Sequence, residues 1–369
     1  MSKKIRVGVG GLGRSGWGIH CNWLKNDLDK YEVVAAADSF PERCQDAKEL
    51  FNCKVYDDYR AMLEDAKIDL FVNATPSRFH VEASRLALSK GINTLSEKPS
   101  APTVKDFDEL VELAKKNNAT FYPFQNSRFY PFFIKIREII ASGVLGDIVY
   151  IRSNWSGFAR RWDWQTMQSE LAGNLRNTGP HPVDQAVVLF GEEYPEVFSK
   201  MYANHFPFEG DAENFCLLVL SGKNRPVVEV CISSLQAYPQ GEMYNISGTL
   251  GGLTGGPSGL KWKYYLPEEA PNHTQWKPWS DNRGYCKDSI PWHQESWEYA
   301  DPNSNETGFS GMVRSLYANL YDVLANGAEA EIKLDQVRRQ IFIMEEAHKQ
   351  NPLPQKASTD IRTNPIVQK

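Results

Sequence analysis

No stretch of the 369-residue sequence approaches the run of about 18 apolar residues that a membrane-spanning helix needs, so no membrane partner is expected. Basic surplus is missing too. Lys and Arg number 41 against 46 Asp and Glu, a net charge of -5, whereas a nucleic-acid or anionic-membrane partner favours clustered cations. The six cysteines (21, 44, 53, 216, 231 and 286) form no CxxC pair and no repeated spacing. Reduced, structural thiols in a cytoplasmic protein follow, and a zinc-dependent dehydrogenase is discounted. His205, His273, His293 and His348 have no partners at ligand spacing, so no metal is expected. Met1-Ser2-Lys3-Lys4-Ile5 runs straight into a strand pattern, without the apolar region of a signal peptide. Internal repeats and low-complexity tracts are also lacking. What is plentiful is aromatic: 10 Trp and 16 Tyr. Flat amphipathic rings suit the apolar faces of sugars, and equally suit core and interface packing.

The length allows two domains, because single cores stop growing near ~250–300 residues. Residues 1–125 alternate short β-branched runs with amphipathic stretches. Strands are expected at Ile5–Val9, Tyr31–Ala37, Asp69–Asn73, Ile92–Ser96 and Thr120–Tyr122. Between them lie a helix running to about Asn26, one opened by Pro41, one over His80–Lys90 stopped by Gly91, and one over Val104–Lys116 capped by Thr103. That alternation predicts a parallel, doubly wound sheet, an α/β fold. Residues 126–355 change character. After a helix at Phe132–Ala141 come strand-like runs at Ile148–Ser153, Val197–Tyr202, Asn214–Leu220, Val227–Ser233 and Tyr244–Gly248. They predict an open, mainly antiparallel sheet with helices on one face, an α+β domain. Pro267–Asn305 reads as an aperiodic surface excursion, helices return at Phe309–Asn326 and Leu334–His348, and 356–369 is a polar tail.

Directly after the first strand stands Gly11-Leu12-Gly13-Arg14-Ser15-Gly16, a GxGxxG that opens a helix. The first glycine permits the turn, the second lets a pyrophosphate approach the backbone, and the third lets helix and strand pack closely. Free N–H groups at the helix start then face the phosphates. Asp38, at the end of the second strand, can bind the adenine ribose hydroxyls and repels a 2′-phosphate, which favours NAD over NADP. Arg43 either softens that preference or lies on the solvated face of its helix.

The run Asn73-Ala74-Thr75-Pro76, then His80, then Ser96-Glu97-Lys98-Pro99 resembles the Gfo/Idh/MocA oxidoreductases, named for glucose–fructose oxidoreductase and inositol dehydrogenase. Asn126–Pro131, Ser142–Asp147 and Gly179-Pro180-His181-Pro182-Val183-Asp184 fit the same family in order and spacing, over roughly residues 5–195. The resemblance implies NAD(P) in the first domain, with Ala74, Thr75, Pro76, His80, Glu97 and Lys98 beside the glycine loop and Asp38. It implies substrate between the domains, and subunits paired as a homodimer or homotetramer through the second sheet.

Oxidising a secondary alcohol needs a base for the hydroxyl proton and a hydride acceptor. The resemblance assigns the base to Lys98, whose amine would be neutralised more easily by desolvation and a positive nicotinamide. Without it, Lys98 reads equally as a surface lysine before a helix-opening proline. The resemblance also implies a cis peptide before Pro99, which would aim the lysine inward. His181 stands where the family places its catalytic histidine. Many members carry an Asp four residues earlier; here Asn177 can orient an imidazole but cannot stabilise its charge. Asp184 can orient the ring or bind substrate hydroxyls. Arg128, Tyr130, Trp155, Arg160, Arg161, Trp162 and Asp163 are candidate substrate contacts, the last four alternatively packing on a neighbouring subunit. His20 is expected behind the glycine turn. The reading is an oxidoreductase for a carbinol carbon of a sugar, sugar derivative or cyclitol. Its rivals are a glycoside-processing enzyme that uses tightly bound NAD for transient oxidation, and a non-catalytic NAD or sugar sensor.

Overall fold

The computed structural model describes residues 4–205, 210–238, 241–273, 279, 283–299 and 308–355; the 356–369 tail and parts of the Pro267–Asn305 stretch lie outside the described residues. The first half forms six parallel strands: β1 (Ile5–Gly10), β2 (Tyr31–Ala37), β3 (Lys54–Tyr56), β4 (Leu70–Asn73), β5 (Asn93–Ser96) and β6 (Phe121–Pro123), ordered β3-β2-β1-β4-β5-β6. From β1 the chain builds outward to β3 and then resumes on the other side at β4. The crevice beyond the C-terminal ends of β1 and β4 is therefore a topological switch point, where doubly wound sheets bind ligands. Local chemistry acts as expected at several boundaries. Pro41 opens the helix Pro41–Phe51, Thr103 accepts from the Asp106 N–H at 3.1 Å, and Gly91 adopts φ +72 after the helix His80–Ser89. The short β3 and the helix Tyr59–Asp65, capped by Asp58, add to the elements expected from the sequence.

The second sheet has eight strands: β7 (Ile148–Ser156), β8 (Glu196–Tyr202), β9 (Phe215–Ser221), β10 (Val227–Ser233), β11 (Tyr244–Gly248), β12 (Gly251–Gly256), β13 (Gly259–Tyr264) and β14 (His293–Glu298). They run in the order β14-β13-β12-β11-β7-β10-β9-β8, and every pairing except β7 with β10 is antiparallel. Helices Pro131–Ala141, Pro180–Phe190 and Leu334–Gln350 cover one face. The expected sheet is too small by three strands. β12 is largely glycine and offers no apolar alternation. β14 lies inside the stretch read as an aperiodic excursion, and its ladder with β13 supplies the order that its own pattern lacks.

Two apolar cores meet through the end of the chain. Val313, Leu316, Tyr317 and Leu320 of the helix Gly308–Asn326 are buried in the first-domain core. The helix Leu334–Gln350 serves both cores, with Val337 and Ile341 in the first and Ile343, Met344 and Ala347 in the second. The first sheet ends at Pro123, just before residue 125, but the first core is completed more than 180 residues later along the chain.

Candidate active site in the interdomain cleft

A cavity of about 600 Å³ runs from the glycine turn after β1 to the second domain. A Cβ on Gly11, at φ +86, would lie 2.4 Å from the Ala74 carbonyl oxygen, and one on Gly16 would lie 1.8 Å from that of Gly11. A Cβ on Gly13 would meet nothing within 4 Å. Two glycines are thus demanded by backbone packing, and the third keeps space free at the cavity wall. Arg14 and Ser15 line the same wall, followed by the helix Gly16–Cys21, which has π geometry. Asp38 accepts from Leu12 N at 2.7 Å and from Phe40 N at 3.0 Å. Leu12 itself buries its side chain and serves through its N–H. Arg43 does not point away: it stacks 4.2 Å over the Phe40 ring, stands 3.5 Å from Asp38, and lines the cavity. Ala74, Thr75 and Pro76 form the facing wall. The open space at Gly13 is compatible with a dinucleotide pyrophosphate, and two backbone N–H groups fix the Asp38 carboxylate nearby.

At the reactive end, β5 delivers Glu97 and Lys98 to the seam, and the Lys98–Pro99 peptide is cis. Glu97 is buried. Burial works against its charge, but His20, 3.3 Å from its carboxylate, and nearby Lys98 outweigh this and hold its pKa at about 2. His20 also meets the Tyr317 hydroxyl at 2.8 Å, which joins the helix that follows the glycine turn to the helix Gly308–Asn326. The half-buried Lys98 amine donates to the backbone oxygen of Asn177 and, at 3.3 Å, to its side-chain oxygen. Burial lowers the Lys98 pKa to about 8; Glu97 opposes this, and the charges of Arg14 and Arg161 add to the fall.

His181, on the helix Pro180–Phe190, is not among the residues that line the cavity; its ring is stacked on Trp155 with centroids 6.1 Å apart and feels the charge of Lys98. Tyr130 stands 6.4 Å beyond Trp155, so the three rings form one aromatic row. The His181 Nδ1 is buried and unpaired. Burial, then the charges of Lys98 and Arg14, push its pKa down to about 3. Asn177 does not orient this ring, because its amide oxygen is engaged by Lys98. Asp184 does not orient it either.

Asp184 and Arg128 bond one another twice at 2.7 Å, both buried, and Arg128 also donates to Gln336 and to the Glu331 carbonyl. Two fully desolvated charges this close satisfy each other, so neither is placed to bind substrate. Arg161 and Asp163 line the cavity, whereas Trp162 is 74% exposed. The loop thus turns Arg161 and Asp163 toward the cleft, while Arg160 is exposed and outside the cavity lining and Trp162 faces solvent. Trp164, which ends the Arg160-Arg161-Trp162-Asp163-Trp164 run read from the sequence as a loop entering the cleft, lines the cavity. Sequence reasoning missed Gln165 beside it, and the 2.7 Å bridge from Arg78 to buried Glu170 that spans the two domains. The Arg78 bridge joins residues 92 apart and leaves no local signal.

Family comparison agrees with this geometry. Residues 5–124 match the oxidoreductase family with an NAD-binding Rossmann fold, and residues 133–254 match the GFO/IDH/MocA C-terminal domain. The chain belongs to the Gfo/Idh/MocA oxidoreductase family. An uncharacterized oxidoreductase of Schizosaccharomyces pombe is 28% identical over 366 residues, covering 94% of this chain and 96% of its own. The D-glucoside 3-dehydrogenase of Escherichia coli is 30% identical over 211 residues, covering 54% of this chain and 57% of its own. Matches to several other curated relatives also span about half of their length. Among solved structures, an NAD-binding protein from Listeria innocua superposes with a TM-score of 0.75 at 20% identity, covering 96% of this chain and 100% of that one. That likeness concerns the fold. The Gfo/Idh/MocA architecture accounts for the parallel nucleotide-binding sheet, the large second sheet and the cleft between them.

Proposed function

We propose that the protein is an NAD-dependent dehydrogenase acting on a secondary alcohol of a sugar, sugar derivative or cyclitol. The observation that carries the proposal is the amine of Lys98, half-buried at the seam, with a pKa near 8 and within hydrogen-bond reach of the second domain at Asn177. The residues that would hold the cofactor are the backbone of 11–16, Asp38 and the 74–76 wall; NAD, when bound, supplies the hydride acceptor. Lys98 then takes the hydroxyl proton, which a pKa near 8 allows close to neutral pH. His181, neutral throughout the physiological range, stacks on Trp155 close enough to Lys98 for that charge to act on its ring. Trp155 and Tyr130 continue the aromatic row, ring surface of the kind that suits the C–H faces of a carbohydrate. The E. coli D-glucoside 3-dehydrogenase supports the substrate class. Asp38, bound by two backbone N–H groups, supports NAD over NADP, since a 2′-phosphate would meet its charge.

The test is a panel of sugars, glycosides and cyclitols with NAD and with NADP, followed at 340 nm. Reduction of NAD by at least one polyhydroxy substrate is expected. Glycoside turnover without net absorbance change would replace the proposal with transient oxidation. Binding without turnover of any kind would leave a sensor.

A further inference from the structure

Between the cofactor wall and the lysine stands a histidine that the chemistry above does not use. His80 is 3% exposed and opens the helix His80–Ser89. Its Nδ1 lies 2.8 Å from the Pro99 carbonyl oxygen and its Nε2 lies 2.8 Å from that of Thr75. Both partners are acceptors without a proton to give. A neutral imidazole carries one N–H, so in either tautomer it would bond one carbonyl and turn a lone pair on the other. The doubly protonated ring satisfies both. Burial, and then the charge of Lys98, pull the ring's pKa below the ordinary imidazole value, against the two carbonyls and the buried Glu97 carboxylate. The contact geometry argues the other way: at 2.8 Å on both sides the neutral ring must set a lone pair against a carbonyl oxygen, whereas the cation bonds both and has Glu97 as its counter-charge.

The place of these bonds gives them their purpose. The register of β4 with β5 ends at Asn73 and Ser96, and the last backbone bond between the two segments runs from Glu97 N to Asn73 O at 3.0 Å. Beyond it the segments separate, one toward Thr75 and the other toward Lys98. We propose that His80 is a positioning residue: donating from both ring nitrogens, it ties the Thr75 carbonyl of the cofactor wall to the Pro99 carbonyl beside Lys98, and so fixes the gap between nicotinamide subsite and amine. Asn73 braces the same strut, donating to His80 O at 2.9 Å and accepting from the Thr75 hydroxyl at 2.7 Å. The role rests on the dehydrogenase reading, but the two-proton strut itself can be tested without it.

The first experiment is NMR of the full-length protein with ¹⁵N-labelled histidine. Two slowly exchanging ring protons on His80 are expected at pH 7, and a single one would overturn the proposal whether or not any substrate is found. The second is His80→Gln, which can bond one carbonyl but not both. With the substrate identified by the sugar panel, kcat should fall roughly 10- to 100-fold, the loss typical of a small misplacement of reacting groups. KM for NAD should rise, and the pH midpoint near 8 should move. A folded His80→Gln protein with a lower melting temperature but unchanged kcat, KM for NAD and pH midpoint would show a merely structural histidine and overturn the proposal. Should the variant not fold, the NMR result decides. A panel without turnover defeats the dehydrogenase reading, and the ring-proton count then tests the strut independently.

Discussion

At the scale of single residues, the site depends on how burial sets two titrations. Lys98 must lose its proton to accept one, so kcat/KM for alcohol oxidation should rise with pH through about 8 and level off above it. His181, displaced to about 3, should add no second inflection between pH 5 and 9. Lys98→Met should lower kcat by about 10²- to 10⁴-fold while isothermal titration still shows NAD binding. Asn177→Asp puts a carboxylate against the amine and should move the midpoint alkaline by about one unit or more; an unmoved midpoint would mean that the titrating group is not Lys98. The Arg128–Asp184 pair belongs to stability instead. Asp184→Asn strips a buried guanidinium of its counter-charge and should cost about 3–5 kcal/mol in denaturant unfolding. Nothing at positions 128 or 184 marks that pairing in the sequence. An arginine and an aspartate 56 residues apart read as polar site candidates until the fold removes both from water.

At the scale of elements, the glycine turn separates folding from binding. Gly16→Ala sets a methyl group 1.8 Å from the Gly11 carbonyl oxygen, which is backbone and cannot yield cheaply, so it should lower the melting temperature sharply. Gly13→Ala meets open space and should leave the melting temperature nearly unchanged while NAD affinity falls, because the methyl group occupies the pyrophosphate's approach. Equal losses in both measurements for both variants would disprove that division. The turn, its strand and its helix were legible because each function requires a residue type at fixed spacing. β12 and β14 were not, since a glycine run and an aromatic, polar hexamer become strands only when β11 and β13 lie alongside to accept their backbone bonds. For the same reason the expected surface excursion turned out to contain a sheet edge.

At the scale of the whole molecule, no helix among the described residues covers one face of the second sheet. Phe198 and Tyr202 of β8 project from that face 55% and 63% exposed, beside half-buried Phe215, Leu217 and Val219 of β9. Near-continuous apolar character in β9 is the pattern of a strand destined to be covered on both sides. Association of two copies through this face should appear as a dimer or larger species in light scattering, and Phe198→Glu with Tyr202→Glu should dissociate it; a monomeric parent protein would end the idea. The cleft also needs the whole chain, because Tyr317 and Val337, near its end, complete the core against which His20 and Glu97 are set. By itself the sequence determined what spacing can encode: the nucleotide turn with its acidic partner and the alternation that makes a parallel sheet, while Lys98 and His181 stood out only through the family resemblance. Tertiary structure alone decided who faces whom. Asn177 serves Lys98 rather than His181, Asp184 neutralises Arg128, and Trp162 turns to solvent, because charge pairing and desolvation depend on distances through space that no spacing along the chain records.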